Sequence, residues 1–348
     1  MSIKKTKVLH LLSSNRFSGA ENVAFQIINL LKDDKFNMIY SSLDGQIRQA
    51  LEKEDIPFYP LKKITLREVY RVVMEFKPDI IHAHDVRASI IASFFSKNTQ
   101  VISHMHVNHE KMSKVNLKTL LYLARANKFK HIFWVSNSAF YKYIFNNQVA
   151  EKSSILYNVI DYEKIILKSQ IDSDYYNFDV IYLGRISYQK NPERLINVLT
   201  KAIQIKKDLR IAIIGTGDLE EKAKDMVEKF GVQANIEFLG FQSNPLKILK
   251  DSKVMLMTSR FEGTPMCALE AMALGVPIVT TPTDGLVDLI TDGIEGYLSE
   301  DDCILAKKIV DIVRNKELRT QLSKNSIKKF KEMNDLQEYK MKLLDVYY

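Results

Sequence analysis

Two glutamates bracket a short predicted helix in the last third of the chain. In the stretch Phe261 to Gly275, Thr264 is a favourable N-cap and Pro265 suits the first helical position, which predicts a helix beginning at Pro265. Glu262 lies just before this helix, and Glu270 lies roughly 8 Å further along its axis. The free amides of a helix start suit phosphate, and two acids so far apart suit opposite ends of an extended ligand. The alternative is a buried helix with two incidental acids.

Two cations belong to the same predicted edge. Arg185 follows a strand, and Lys190 comes directly before another helix start at Asn191-Pro192. Because ligands bind at the carboxyl ends of parallel strands, an Arg fork, a Lys charge and helix amides predict a diphosphate site. The alternative is a pair of solvated surface cations. Gly215 and Gly217, after the next strand, permit close backbone approach.

The elements that would position these residues alternate between strand-like and helix-like segments along the chain, which is typical of parallel sheets with crossover helices. Strands are predicted at Lys7 to Leu12, Met38 to Ser42, Asp79 to His84, Gln100 to His106, His131 to Val135, Ser154 to Tyr157, Asp179 to Gly184, Arg210 to Gly215, Asn235 to Gly240, Lys253 to Met257 and Pro277 to Thr280.

This order predicts the α/β class with two Rossmann-like, doubly wound domains facing across a cleft. Residues 1–165 would form the N-terminal domain and residues 166–330 the C-terminal domain. Residues 331–348 would form a C-terminal helix that crosses back to the N-terminal domain, because apolar side chains recur there at helical spacing.

Composition restricts the function classes. The 50 Lys and Arg against 42 Asp and Glu give a net charge of +8, which suits anionic ligands or an anionic surface without requiring nucleic acid. The two cysteines have no metal-ligand spacing, which favours a reducing compartment. The first residues read as a strand rather than a signal peptide, and no apolar run is long enough to span a bilayer. We therefore expect a cytoplasmic protein.

The motifs of both halves, taken in order, resemble glycosyltransferase family 4, whose members are retaining, nucleotide-sugar-dependent enzymes of GT-B architecture. In the second half, the resemblance rests on Gly184-Arg185, Lys190-Asn191-Pro192, Gly215-x-Gly217, Glu262-x7-Glu270 and Gly275-x-Pro277. In the first half, Ser18-Gly19-Ala20-Glu21 looks like the family's Gly-Gly-Ala-Glu loop. The segments Asp79 to Asp85 and Ser103 to Asn108 look like the paired histidine segments of capsule and exopolysaccharide enzymes.

The resemblance implies a role for each matching residue. Glu270 would hold the ribose hydroxyls, Arg185 and Lys190 the diphosphate, and Glu262 the donor sugar. Leaving-group stabilisation would then be the main catalytic contribution, and neither a metal nor another cofactor would be needed. The implied donor site comprises Gly19, Arg185, Lys190, Gly215, Gly217, Glu262, Gly263, Thr264, Pro265 and Glu270. The implied catalytic residues are His106, Glu262, Arg185 and Lys190.

Histidines of the first half are assigned to the sugar side of the site. By resemblance, His106 would lie near the transferred sugar, and His82, His84, His104 and Asn108 would contact the acceptor. Each His-x-His pair shares one face of a strand. Two alternatives stay open: a metal site, although no carboxylate or cysteine completes an obvious ligand set, and histidines with a purely structural role.

A basic segment without acidic residues extends from Lys111 to Ala150. If Lys111 to Lys128 is helical, its basic side chains share one sector and Leu117, Leu120, Leu121 and Ala124 occupy the next one. This pattern predicts contact with an anionic membrane through Lys111 to Lys130, beside a lipid-diphosphate-linked acceptor. The alternative is an ordinary helix packed on the core.

The predicted function is retaining, metal-independent transfer of a hexosyl or N-acetylhexosaminyl group. The donor would be a nucleotide-diphosphate sugar, with UDP as the first choice, and the acceptor a growing surface polysaccharide or lipid-linked glycan at the inner face of the cell membrane. Two alternatives remain: another GT-B enzyme such as a nucleotide-sugar epimerase, and a non-catalytic GT-B partner subunit.

Overall fold

The computed structural model describes residues 5–15, 19–32, 35–106 and 110–348. The chain divides into two compact units. The first comprises the chain up to Asn158 together with Gln337–Tyr348, and the second comprises Val159–Leu336. Within the described residues, no helix combines the length and the hydropathy that a membrane span requires.

The first unit contains a parallel six-stranded sheet in the order β2-β1-β3-β4-β5-β6. Its strands are β1 (Thr6–Leu11), β2 (Phe36–Ser41), β3 (Ile80–Ala83), β4 (Gln100–Met105), β5 (His131–Trp134) and β6 (Ser153–Ile155). Its helices are α1 (Gly19–Leu30), α2 (Ile47–Lys53), α3 (Leu66–Phe76), α4 (Val86–Ala92), α5 (Leu117–Ala126), α6 (Asn137–Tyr141) and α7 (Asn146–Val149).

The second unit repeats this plan with a parallel sheet in the order β12-β11-β10-β7-β8-β9. Its strands are β7 (Val180–Leu183), β8 (Ile211–Ile214), β9 (Ile236–Gly240), β10 (Val254–Met257), β11 (Ile278–Thr280) and β12 (Gly296–Leu298). Its helices are α8 (Tyr162–Lys168), α9 (Pro192–Ile205), α10 (Glu220–Lys229), α11 (Leu246–Asp251), α12 (Met266–Ala273), α13 (Asp284–Leu289), α14 (Asp302–Arg314) and α15 (Lys316–Met333).

The last helix, α16 (Leu336–Tyr347), packs on the first unit. It buries Tyr339, Leu343 and Tyr347, and the ring of Tyr347 lies 5.8 Å from that of Phe36 at the start of β2. The predicted return of the C-terminal helix is therefore confirmed.

Each sheet reverses its strand order at one point. In the first unit this point lies between β1 and β3, and in the second between β7 and β10. Strands β3 and β10, one at each reversal point, are buried on both faces, which is why their sequences are nearly continuous apolar runs. A reversal point opens a crevice at the carboxyl ends of its strands, where ligands of such sheets bind.

The predicted α/β class and every predicted strand are confirmed, with ends shifted by one or two residues. The sequence reading missed β12, a three-residue edge strand too short to show a pattern. It also missed α8, which packs against α11 and α12 in the second unit although the predicted boundary fell within it.

Candidate functional site

Hydrogen bonds join two loops at the reversal point of the second unit, one after β7 and one after β10. The backbone amide of Arg260, after β10, donates to the carbonyl of Gln189, after β7, at 2.8 Å. The side-chain amide of Gln189 donates back to the carbonyl of Phe261 at 3.1 Å. The Arg260 guanidinium donates to Asn191 Oδ1 at 2.8 Å and lies 4.5 Å from the centre of the Tyr188 ring. These bonds hold the loop that carries Lys190 against the loop that carries Glu262.

Glu262 and Lys190 form a largely buried ion pair. The Lys190 ammonium lies 2.5 Å from Glu262 Oε1, and Ser259 Oγ donates to the same oxygen at 2.5 Å. Burial opposes the charge of Lys190, but the adjacent carboxylate raises the pKa of Lys190 above its ordinary value. No described residue donates a hydrogen bond to Glu262 Oε2, so this oxygen is left for a ligand.

Arg185 differs from Lys190 because it is exposed and has no carboxylate partner among the described residues. Its backbone is fixed instead, since the hydroxyl of buried Tyr182 donates to the Arg185 carbonyl at 2.8 Å. An unpaired guanidinium at the end of a parallel strand has the geometry and charge to bind a phosphate bidentately. The structure thus brings the predicted diphosphate ligands Arg185 and Lys190 to one edge.

The helix α12 carries Glu270, and its start corrects the prediction by one residue. Pro265 has extended backbone angles (φ −71°, ψ 123°) and makes no side-chain capping bond, so Thr264 is not the N-cap and the helix begins at Met266. The carbonyl of Pro265 accepts the first helical bond, from Ala268. At the other predicted start, Pro192 does begin α9, but Asn191 adopts a left-handed conformation and gives its side-chain oxygen to Arg260.

Glu270 is half-buried on α12, and burial raises the pKa of its carboxyl group to about 7. Among the described residues, none donates a hydrogen bond to this carboxylate, and the positive charge of Lys168 on α8 opposes the rise in its pKa. A carboxylate held without a donor is suited to accept hydroxyl groups of a ligand.

Glycines allow the loops of this edge to touch. A Cβ at Gly215 would lie 2.1 Å from the Gly184 carbonyl oxygen, and one at Gly217 would lie 2.0 Å from that of Ile186. A Cβ at Gly285 would lie 1.5 Å from the carbonyl oxygen of Gly263. Gly215 and Gly217 therefore have a packing role, and their contact with a donor remains a prediction.

The first unit gathers five histidines at its own reversal point. His10 lies in β1, His82 in β3 and His104 in β4, whereas His84 and His106 directly follow β3 and β4. Ring centroids of His82 and His84 are 4.4 Å apart, and those of His104 and His106 are 4.1 Å apart, which confirms that each His-x-His pair shares a face.

Hydrogen bonds link these rings to one another. His10 Nδ1 lies 2.9 Å from His84 Nε2, and His84 Nδ1 lies 2.9 Å from His106 Nε2. His82 Nε2 lies 3.2 Å from His104 Nδ1, and His82 Nδ1 lies 2.8 Å from the Tyr347 hydroxyl of α16. Burial lowers the pKa of every one of the five imidazoles, to about 3 for His10 and His106, so all five are neutral near pH 7.

The predicted acceptor contacts of His82, His84 and His104 are not supported. Each side chain is at most 1% exposed, so none offers a surface to an acceptor. His106, at 8% exposure, ends the cluster at the sheet edge. Asn108 lies outside the described residues. Gly19 begins α1, and the space where its Cβ would stand is open.

The same histidines have ring nitrogens within 4.8 Å of one another in two groups, His10-His82-His84 and His84-His104-His106. That spacing admits a metal ion. However, two nitrogens bound to one tetrahedral zinc at about 2.0–2.1 Å stand about 3.3 Å apart. The observed distances of 2.9 Å between ring nitrogens, from His10 to His84 and from His84 to His106, fit direct hydrogen bonds better.

The basic segment differs from the predicted long helix. Asn116 forms a capping box with Thr119, so α5 begins at Leu117 and excludes Lys111 and Lys114. The Arg125 side chain donates to Ser93 Oγ at 2.7 Å and stacks on the Phe94 ring at 4.0 Å. The predicted single basic sector is therefore wrong.

Three of the four leucines of α5 are exposed, whereas Leu123 packs against the core. The helix buries its opposite face through Thr119, Tyr122 and Ala126. Leu117 is 74% exposed, and Leu120 and Leu121 are also exposed. The helix itself is packed on the core, as the alternative expected, but these three leucines lie on its exposed side.

Sequence reasoning missed four residues of these two regions. Ser259 and Arg260 directly follow the predicted strand at Lys253 to Met257, a position that could have suggested a role at the sheet edge. No such signal was present for His10 and Tyr347. Their hydrogen-bond partners, His84 and His82, are distant in sequence and come close only in the folded chain.

Comparison with known sequences finds a family that resembles the second half. The family described as "Glycosyl transferases group 1" matches residues 163–329. An uncharacterized glycosyltransferase of Methanocaldococcus jannaschii is 27% identical over 246 residues, which are 65% of this chain and 60% of that protein. The match thus spans less than two thirds of that relative. The capsular polysaccharide biosynthesis glycosyltransferase CapM of Staphylococcus aureus is 23% identical over 94% of this chain and 93% of its own length.

Comparison with solved structures concerns the fold. The crystal structure of Anabaena HepE in complex with UDP-glucose superposes with a TM-score of 0.83 at 19% identity, over 97% of this chain and 98% of that one. This likeness, together with the two parallel six-stranded sheets, identifies the GT-B fold. Residues 163–329 are therefore similar to the glycosyl transferases of group 1, and the chain as a whole has the GT-B fold.

Proposed function

We propose that this chain is a retaining glycosyltransferase of family 4 that works without a metal ion or another cofactor. It transfers a hexosyl or N-acetylhexosaminyl group from a UDP-sugar to a growing surface polysaccharide or lipid-linked glycan. The observation that carries this proposal is the edge of the second unit, where the unpaired Arg185 and the Lys190–Glu262 pair stand on bonded loops.

The charges of this edge suit departure of a nucleotide diphosphate. When the bond between the anomeric carbon and the diphosphate oxygen breaks, negative charge grows on the leaving group. The side chain of Lys190 and the backbone of Arg185 are already held in place, so these cations can stabilise that charge with little reorganisation. Two fixed cations supply the stabilisation that a metal would otherwise provide.

The carboxylates take the other parts of the donor. Glu262 Oε2 accepts a hydroxyl of the donor sugar, because Oε1 is already occupied by Lys190 and Ser259. Glu270 accepts the ribose hydroxyls. Gly263, Thr264 and Pro265 supply backbone near the sugar and phosphates, and His106 contacts the transferred sugar. No residue of this set is proposed as a covalent nucleophile, so acceptor attack takes place on the face that the leaving group vacates.

The names of similar proteins support the choice of donor and acceptor. HepE was crystallised with UDP-glucose, and CapM is a capsular polysaccharide glycosyltransferase. UDP is accordingly the first nucleotide to test, and a lipid-linked or polymeric glycan the first acceptor.

The test is a thermal-shift panel of UDP, GDP, ADP and CMP, with UDP-glucose and GDP-mannose, each with and without EDTA. A ligand at 100 times its dissociation constant should add about 2.7 kcal/mol of stability. We expect a shift with UDP that survives EDTA and is much smaller in Arg185→Gln. A shift only without EDTA would contradict the metal-free site, and no shift with any nucleotide would favour a non-catalytic partner subunit.

A turnover assay separates the remaining enzyme alternative. A hydrolysing nucleotide-sugar epimerase releases free sugar and UDP without an acceptor, whereas the proposed transferase should do so slowly. Rapid acceptor-independent release would therefore contradict glycosyl transfer while leaving the donor site intact.

We further propose a peripheral location at the cytoplasmic face of the membrane, through an apolar patch formed by Leu117, Leu120 and Leu121. These side chains are exposed within a segment, Lys111 to Ala150, that contains no acidic residue. Exposed leucines among basic residues suit insertion at an anionic bilayer surface. Lys114 and Lys128 are exposed beside the patch in sequence.

Sedimentation with vesicles tests this location. We expect binding to vesicles containing anionic lipid, weaker binding at high salt, and none to neutral vesicles. Leu117→Ser with Leu121→Ser should abolish binding. The matched control is Leu167→Ser, an exposed leucine of α8. The membrane proposal fails if anionic vesicles bind no protein or if the control loses as much binding.

A further inference from the structure

One oxygen of the Glu262 carboxylate has two hydrogen-bond donors and the other has none. The Lys190 ammonium and the Ser259 hydroxyl both bond to Oε1, each at 2.5 Å. No described residue donates to Oε2, although the side chain of Glu262 is only 5% exposed. Within the described part of the chain, Oε2 is not one of the fully enclosed polar atoms that lack a partner, so it reaches the surface. The carboxylate is therefore held on one side and open on the other.

Lys190 alone would not keep the carboxylate in this orientation. The last torsion of a glutamate side chain has a broad distribution, so its carboxylate turns readily about that bond. A lysine ammonium is a compact charge with three rotatable donors, so it can bind either carboxylate oxygen or both. A second donor in a fixed place is needed to keep Oε1 inward and Oε2 outward.

Ser259 is a donor in a fixed place. It follows β10 and is 3% exposed. Its carbonyl accepts a hydrogen bond from Thr281 Oγ1 at 3.1 Å, and the Thr281 amide donates to the carbonyl of Met257 at 3.2 Å. Thr281 directly follows β11, the neighbour of β10 in the sheet. Ser259 is thus tied to the ends of two adjacent strands, which fixes the place of its hydroxyl relative to the sheet.

We propose that Ser259 is a positioning residue that keeps Glu262 Oε2 directed towards the ligand. It holds Oε1, so that Lys190 does not draw both oxygens to itself. An ionised carboxylate oxygen only accepts hydrogen bonds, so the ligand group that it meets must be a donor, such as a hydroxyl. That this hydroxyl belongs to the donor sugar rests on the proposed function, whereas the orientation of the carboxylate does not.

Crystal structures of the ligand-free protein test this orientation. Ser259→Ala removes only the hydroxyl, so we expect the carboxylate plane of Glu262 to turn and Oε2 to approach Lys190 Nζ. Ser259→Thr keeps a hydroxyl and should keep the wild-type orientation. If Ser259→Ala does not fold, Ser259→Cys replaces it with the same expectation, because a thiol is of similar size but a much weaker donor.

Calorimetry with UDP and UDP-glucose measures the consequence for binding. We expect Ser259→Ala to weaken UDP-glucose binding by about tenfold or more, as for the loss of a hydrogen bond to a charged group. The affinity for UDP should change little, because UDP has no sugar to meet Oε2 and both cations of the edge remain. Ser259→Thr should restore the affinity for UDP-glucose.

The matched control is Ser252→Ala, in the same unit. Ser252 is 6% exposed, and its hydroxyl donates to the carbonyl of Ile248 instead of a carboxylate. The substitution removes an equally buried hydroxyl and should change neither affinity.

Three results would overturn the proposal. The carboxylate plane of Glu262 could be unchanged in Ser259→Ala, which would mean that Lys190 suffices to hold it. The affinity for UDP-glucose could be unchanged in that variant. The affinities for UDP and UDP-glucose could fall equally, which would make Ser259 a structural residue of the whole edge. The expected turn of the carboxylate in a protein that binds neither compound would instead support the orientation and contradict only the proposed function.

Discussion

The two units present opposite chemistry at the same position of the same fold. At the reversal point of the first sheet, five imidazoles are buried without a charge and bond mainly to one another. At the reversal point of the second, Arg185 is exposed and Lys190 forms a largely buried ion pair with Glu262, so a carboxylate neutralises only one of the two cations. The parallel sheet supplies an edge, and the residues at the strand ends decide whether it offers neutral donors or charges.

The contrast extends to the pH dependence of folding. Burial lowers the pKa of the five histidines in the first unit, but it raises the pKa of Glu270 in the second. Below pH 6.5, the five histidines stay neutral in the folded state but become protonated in the unfolded chain. Between pH 4.5 and pH 7, Glu270 stays protonated in the folded state but is ionised in the unfolded chain. The first unit should therefore be destabilised by acid, and the second by base.

The largest expected effect is loss of the first unit in mild acid. Below pH 6.5, each neutral buried histidine removes up to about 1.4 kcal/mol of stability per pH unit, and five of them amount to up to about 7 kcal/mol at pH 5.5. Trp134, the one tryptophan in the sequence, is buried in β5 and so reports on this unit alone. Urea titrations followed by its fluorescence should show a steep fall in the midpoint between pH 7.5 and pH 5.5.

The control for this slope is His131→Gln. His131 lies at the start of β5, is only half-buried and bonds Ser154 instead of the cluster. The variant should retain most of the acid sensitivity. A tryptophan midpoint that is the same at pH 7.5 and pH 5.5 would show that the cluster is charged or open to water.

Removal of one partner of the buried pair in the second unit should have the next largest effect. Glu262→Gln leaves the Lys190 ammonium without its carboxylate partner. The side chain of Lys190 is only 15% exposed, so water cannot fully replace that partner. We expect a loss of about 2–3 kcal/mol in the free energy of unfolding, somewhat less than for a fully buried pair. Thermal and urea unfolding measure this loss.

The matched change is Glu300→Gln, which removes a surface partner of Arg194. Glu300 is 71% exposed, so its pair with Arg194 should contribute under about 1 kcal/mol. If the two substitutions cost the same, the Lys190–Glu262 pair is solvated and the contrast between the units is weaker than proposed.

The sequence predicted the site residues that lie at the ends of strands, because a short stretch of neighbouring residues is enough to show where a strand ends. Arg185 and Glu262 follow β7 and β10, and any parallel sheet brings such residues to one edge. The bond between Lys190 and Glu262 joins positions 72 residues apart, so no window of sequence contains it. The sequence predicted the edge and the charges, but not which charge would be neutralised.

The histidine cluster shows the same limit more strongly. The spacing of His82 with His84 and of His104 with His106 predicted two shared faces, which the structure confirms. It could not predict that His10, 74 residues before His84, would complete a hydrogen-bonded chain. Nor could it predict that burial would remove three of the four histidines from the surface, because burial depends on what α16 and the neighbouring strands cover.

Glu270 should change the free energy of unfolding with pH by less than the histidines do, and in the opposite direction. Its carboxyl group has an ordinary pKa of 4.5, and burial raises that pKa to about 7. Between pH 4.5 and pH 7 the second unit should therefore lose roughly 1–3 kcal/mol as the pH rises, and Glu270→Gln should remove this slope. Hydrogen exchange of peptides from β10 and α12 measures it, with exposed Glu237→Gln as the control.

The same residue links pH to donor binding. Ribose hydroxyls that donate to Glu270 favour its charged form, so UDP affinity in the wild type relative to Glu270→Gln should increase as the pH rises through 7. The phosphates of UDP titrate equally in both proteins, so the ratio isolates Glu270. A ratio that does not change with pH would place the ribose elsewhere.

Arg185 should show the smallest effect on stability and a large one on binding. Its guanidinium is exposed and has no carboxylate partner among the described residues, so Arg185→Gln should change the free energy of unfolding by less than about 0.5 kcal/mol. UDP affinity should nevertheless fall roughly 10- to 100-fold, as expected for a charge-assisted bond to phosphate. Arg185→Lys should recover only part of it, because an ammonium cannot bind two phosphate oxygens in one plane. The control, Arg67→Gln on α3 of the first unit, removes the same charge from an exposed position and should leave UDP affinity unchanged. An equal loss in both variants would mean that the net positive charge of the chain, rather than the position of Arg185, attracts the nucleotide.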